Sequence, residues 1–225
     1  MKIDIYIPDN LSEITLEQYQ RFEKLNNEEN QKTNFLLQKM VQIFCKIELR
    51  DVANIKFSDV QNIVQHLNDV FTEKCELEKT FRLHGVDYGF IPNLDEMTFG
   101  EYIDLDNYLG SWENMDKALS VLYRPITVRK NNKYDIEPYN GEVNASMKNA
   151  PLNIVMGCMV FFYSLSNELL NCTQNYLKQN LIPQEIYQQV QDLVKSGDGI
   201  NLSMESLRVT LDYLTKSPPQ NYISA

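Results

Sequence analysis

The sequence predicts a mainly helical α+β protein in which an N-terminal strand and two β-hairpins flank a helical pair. Three observations predict it. A helix-starting segment occurs twice, the hydrophobic period drops to two in short stretches, and broad apolar stripes of helical spacing fill most of the remainder.

The repeated segment is Leu11-Ser12-Glu13-Ile14-Thr15-Leu16-Glu17-Gln18-Tyr19, which returns as Leu94-Asp95-Glu96-Met97-Thr98-Phe99-Gly100-Glu101-Tyr102. Each copy reads as a helix start. Thr15 and Thr98 are suited to cap the N-terminus, and Gln18 and Glu101 three residues on complete a capping box. Ile14 with Tyr19, and Met97 with Tyr102, hold the two positions of a hydrophobic staple.

The other elements follow in order. Ile3, Ile5 and Ile7 alternate with polar neighbours over Lys2 to Ile7, the pattern of a half-buried strand stopped by Pro8-Asp9-Asn10. A helix is expected from Leu16 to about Leu25. A second, about Thr33 to Ile47, carries Leu36, Leu37, Met40, Val41, Phe44 and Ile47. A third begins at a Ser58 cap, with Val60, Ile63, Val64, Leu67, Val70 and Phe71 facing inward. Phe81, Leu83, Tyr88 and Phe90 then alternate around His84-Gly85, a hairpin signal. The second capped helix runs to about Leu109, Gly110-Ser111 breaks the chain, and another helix spans Trp112 to Tyr123. Pro125 holds Arg124 out of the helical region. Ile126 to Lys130 and Tyr134 to Glu137 form a second hairpin around Asn131-Asn132.

Residues 1–141 therefore make a mixed α/β region, 142–215 a helical one and 216–225 an extended tail. Helices are expected over Asn153–Lys178, Pro183–Lys195 and Ser203–Leu214. Two explanations of the repeat stand side by side. Residues 11–47 and 94–125 are products of an internal duplication, or two unrelated helix starts obey the same capping rules.

Composition limits the function classes. The formal charge is −10, from 31 acidic and 21 basic side chains, which disfavours wrapping a nucleic acid or lying on an anionic membrane. The local basic group Arg124, Arg129, Lys130 and Lys133 fits a solvated hairpin. Four scattered cysteines form neither a CxxC motif nor a disulfide framework. The apolar run from Ile154 to Tyr163 is too short to span a bilayer. Met1-Lys2-Ile3-Asp4 opens directly into the strand pattern, so no signal peptide and an intracellular setting are expected.

Chemistry is weakly signalled. Glu101 and Asp104 share a helical face, as a metal-dependent hydrolase would need, but Glu101 has a capping role. His66 reads as structural and His84 as a turn residue, with no nucleophile elbow near them. Ser196-Gly197-Asp198-Gly199 lacks the lysine and strand of a phosphate loop. No catalytic, cofactor-binding or metal-ligating residue is assigned, and no cofactor is expected. The best contact surface is the aromatic concentration of Tyr108, Trp112, Tyr134 and Tyr139 with Arg124 and Arg129, since such residues supply most interface hot spots. In the tail, Pro218, Pro219 and Tyr222 fit a short docking arm.

The stretch from His84-Gly85-Val86-Asp87-Tyr88-Gly89-Phe90 through Ile91-Pro92-Asn93 and the second capping box to Leu105 resembles small acidic proteins of the structural-gene regions of tailed bacteriophages, particularly crAss-like phages. Leu122-Tyr123-Arg124-Pro125-Ile126 and Tyr134-Asp135-Ile136-Glu137-Pro138-Tyr139 continue that resemblance, which covers roughly Lys79 to Gly141. It implies a virion component, such as a neck or tail protein or a packaged protein, or an assembly chaperone absent from the mature particle. A non-enzymatic interaction component of neck, tail or ring-forming type is the preferred expectation. The partners it implies are other phage structural proteins and copies of the same chain in a ring. The implied location is the virion, with the host cytoplasm as the site of assembly.

Overall fold

The computed structural model describes residues 5–26, 34–131 and 133–179, with side chains through 165. It is a mixed α+β fold dominated by helices, in which two antiparallel hairpins flank a pair of helices.

Both capping boxes form. Thr15 Oγ accepts from Gln18 N at 3.3 Å while Thr15 N donates to Gln18 Oε1 at 3.0 Å, opening helix α1, Leu16–Glu23. Thr98 Oγ accepts from Glu101 N at 3.3 Å and Thr98 N donates to Glu101 Oε2 at 2.7 Å at the start of a later helix, Phe99–Tyr108. The repeat also begins one residue earlier than the apolar pattern indicates. Asn10 and Asn93 each cap a short 3-10 turn, accepting from Ser12 N and Asp95 N, and each amide donates to the Glu three residues on.

The apolar stripes form α2, Asn34–Phe44, and α4, Phe57–Phe71, joined through the short α3, Leu49–Val52. The expected Ser58 cap does not form. The helix starts one residue ahead of it, Lys56 stands at the cap without a side-chain bond, and Ser58 Oγ turns to Asp59. The expected N-terminal strand is also not formed over the described residues 5–7. Ile5 and Ile7 pack half-buried on the core and Tyr6 is exposed, so the alternation records one-sided burial without a ladder partner.

The first hairpin is β1, Thr80–Leu83, with β2, Val86–Phe90. Its two turn residues, His84 and Gly85, have φ of +49° and +85°, as the twist-matched two-residue turn requires. The helix Phe99–Tyr108, α5, and its partner α6, Met115–Leu122, follow. The second hairpin is β3, Tyr123–Lys130, with β4, Lys133–Ile136. The hairpins join into one antiparallel sheet, order β1-β2-β3-β4, through Tyr88↔Pro125, Gly89↔Arg124 and Phe90↔Tyr123. A bulge between Ile126 and Val128 bends the second hairpin, and the Tyr134 ring comes down on Gly89, where a Cβ would collide with it.

Helix α7, Leu152–Gln179, is unbroken over the described residues. Its first turns bury Leu152, Ile154, Val155, Cys158 and Met159 in the core. The expected helices over Pro183–Lys195 and Ser203–Leu214 lie outside the described residues, as do Pro218, Pro219 and Tyr222. Among the described residues, no helix is long and apolar enough to cross a membrane.

Candidate functional site

Most of the aromatic and arginine residues expected at a contact surface are used inside the fold. Trp112 is buried against the Tyr19 ring at 4.4 Å between centroids. Tyr134 Oη donates to the carbonyls of Phe90 and Lys79 at 2.8 and 3.1 Å, fastening β4 across the first hairpin. Tyr108 is half-buried, with Lys117 Nζ 5.4 Å from its ring. Arg129 is exposed on the second hairpin.

Arg124 and Tyr139 belong to a polar cluster anchored on α5. The Arg124 guanidinium pairs with Glu101 Oε1, lies 5.7 Å from the Tyr139 ring, and leaves only 12% of its side chain accessible. Tyr139 Oη donates to Asp104 Oδ2. Burial pushes the Glu101 carboxyl up, but the Thr98 hydrogen bonds and Arg124 outweigh it and hold the group below the usual carboxylate range. Burial, then the Asp104 contact, raises the Tyr139 phenol, so it is a donor at neutral pH. The two carboxylates considered for a hydrolase are thus engaged by Arg124 and Tyr139, and no group of three metal-binding side chains occurs among the described residues.

The two copies of the capped helix differ in what covers them. Gln18 and Glu101 are buried in both, as are Phe22 and Leu105 at equivalent offsets. Leu16, Tyr19 and Gln20 are also buried in the first copy. Trp112 lies on Tyr19, Gln20 Nε2 donates to Trp112 O at 2.7 Å, and Leu16 N donates to Ala150 O at 3.0 Å. Leu152 N returns a bond to Ile14 O at 2.8 Å, so the segment Ala150-Pro151-Leu152 lies antiparallel along the cap. The equivalent residues of α5 are bare: Phe99 is 78% exposed, Tyr102 37% and Ile103 40%. Phe99 N and Met97 O, the counterparts of Leu16 N and Ile14 O, take no protein partner among the described residues.

This uncovered face of α5 is the candidate site. A reading from aromatic density alone passes over it, because α5 has apolar residues on both sides, Leu105 and Leu109 inward and Phe99, Tyr102 and Ile103 outward. That two-sided distribution was the available signal. The chain matches no family model, no curated protein and no solved structure.

Proposed function

We propose that this chain is a non-enzymatic protein–protein interaction component of a tailed-phage virion, of the neck, tail or ring-forming kind. The observation that carries the interaction role is the bare Phe99, Tyr102 and Ile103 face, set on a helix whose other side is fixed by Glu101, Arg124 and Leu105. Three adjoining apolar side chains on a rigid, capped helix make a preorganised contact surface, whereas their counterparts Leu16, Tyr19 and Gln20 show the same device when covered. The resemblance of residues 79–141 to phage structural-region proteins supplies the setting. Partners are other structural proteins of the particle and further copies of this chain, met during assembly in the host cytoplasm. In a ring, each copy would present two different patches, since a heterologous contact must repeat around the axis.

Quantitative mass spectrometry of purified particles, counting this chain against portal and capsid proteins, tests the reading. A reproducible count at a symmetric ring number supports it. Absence from particles despite abundant expression in infected cells overturns it in favour of an assembly chaperone.

A further inference from the structure

We infer that the Phe99, Tyr102 and Ile103 face of α5 in one copy takes the outer face of the β3–β4 hairpin of a second copy, so that the chain assembles head to tail. Resting on the proposed interaction role, this pairing supplies the two different patches that a contact repeated around an axis requires.

The end of the second hairpin stands clear of the core. Thr127, Val128, Arg129, Lys130 and Lys133 are all exposed, and a two-stranded ribbon bare on both faces gains little from its own packing. Register sets Val128 opposite Asp135, Arg129 opposite Tyr134 and Lys130 opposite Lys133. Side chains alternate across a strand, so Val128, Lys130, Lys133 and Asp135 share one face, and Arg129 and Tyr134 the other. Tyr134 turns to the first hairpin, where its ring meets Gly89, which leaves the Val128 face outward. On that outer face the two lysines stand directly opposite each other, and no carboxylate among the described residues pairs with either. Like charges so placed cost stability, and carboxylates of a neighbouring copy would neutralise them.

The α5 face has the complementary chemistry. Phe99, Tyr102, Ile103 and Asp106 follow at the i, i+3, i+4 and i+7 spacing of one helical face. Asp95 and Glu96 are exposed in the turn before the helix. Residues 93–111 contain no lysine or arginine. Glu101 and Asp104 are already engaged by Arg124 and Tyr139, so Asp95, Glu96 and Asp106 are left to meet a cation. An apolar strip edged by carboxylates thus matches Val128 edged by Lys130 and Lys133. Two α5 faces meeting each other would instead bring like charges together. Both patches are bare within one chain, Phe99 at 78% exposure and Val128 at 55%, so the contact runs between copies.

The test uses the purified full-length chain carrying p-benzoylphenylalanine in place of Phe99, irradiated as an equal mixture of isotopically light and heavy protein. The expected product is a light–heavy adduct at residues 126–136, with a yield that falls several-fold at high salt. Lys130→Glu with Lys133→Glu should lose most of that product, as should Asp95→Lys with Asp106→Lys, each pair keeping its circular dichroism. All four substitutions in one chain reverse both patches and should restore the adduct, which a merely structural loss would not allow. Adducts with both halves from one chain, light–heavy adducts confined to other segments, no adduct, or no recovery in the fourfold variant would each overturn the inference. The experiment needs no particles, so its failure leaves the virion count to decide the proposed function independently.

Discussion

Arg124, at the start of β3, pairs with Glu101, the residue that closes the second capping box. One carboxylate thereby caps the start of a helix and ties it to the sheet. The equivalent Gln18 does the same work with an amide, closing the first box and donating to Ile43 O at 2.7 Å at the end of α2. The chemistry of the third helical position follows its distant partner: an amide faces a carbonyl and a carboxylate faces a guanidinium.

A double-mutant cycle tests that coupling. Arg124→Met leaves Glu101 buried without its counter-charge and is expected to cost about 3 kcal/mol in urea denaturation. Glu101→Gln preserves the cap, as Gln18 demonstrates, but leaves Arg124 unpaired. The double variant should recover to within about 1 kcal/mol of wild type, because an apolar stem against a capping glutamine carries no buried charge.

Glu23 should make stability depend on pH. Burial raises its carboxyl to about 7, with a lesser lowering from an Asn26 hydrogen bond, and its Oε2 has no hydrogen-bond partner among the described residues. A carboxyl with a raised folded pKa favours the folded state fully below its unfolded value, and that contribution is lost as pH rises through the folded value. Stability should therefore fall between about pH 4.5 and 7 on its account. Glu23→Gln should remove the slope and add about 2 kcal/mol at pH 8, measured by denaturation across pH.

Two glycines should respond in opposite senses to alanine. At Gly157 a Cβ would strike the backbone carbonyl of Glu76, which cannot rotate away, so Gly157→Ala is expected to destabilise by about 2 kcal/mol despite its better helix propensity. At Gly100 no atom of the described residues would lie within 4 Å of an added Cβ, and Gly100→Ala should stabilise by about 0.5 kcal/mol. Thermal or urea midpoints of the two variants decide it.

His84 occupies the first hairpin turn at φ +49°, the first central position of a two-residue turn in which asparagine before glycine is the preferred pair. His84→Asn should stabilise by about 0.5 kcal/mol, read from the denaturation midpoint, because it creates the Asn-Gly turn that the hairpin geometry favours.

These cases also show which parts of the fold were legible in the amino-acid order. Thr15, Thr98, Gln18 and Glu101 announced both caps because capping is local chemistry within four residues. His84-Gly85 announced its hairpin for the same reason. Pairing of Phe90 with Tyr123 was not legible, since the helical pair intervenes and no local signal joins the two strands. Alternation at Ile5 and Ile7 reported one-sided burial but could not supply a strand partner. Tyr134 and Arg124 were visible as residue types suited to interfaces. Their use inside the fold depends on the bulge at Ile126/Val128 and on the approach of α5, which only the tertiary arrangement sets. Phe99 lay in plain sight as the partner of Leu16 in the repeat, yet its exposure follows from the lack of a second Ala150–Leu152 segment among the described residues.

On the proposed function, the Phe99, Tyr102 and Ile103 face meets another protein in the assembled state. Photo-cross-linking from p-benzoylphenylalanine at Phe99 within purified particles tests it most directly, with exposed Val143 as the control position. The expected result is a discrete adduct between position 99 and another particle protein or a second copy of this chain, with none from position 143. Adducts confined to the chain's own residues, or the same products from both positions, would contradict it.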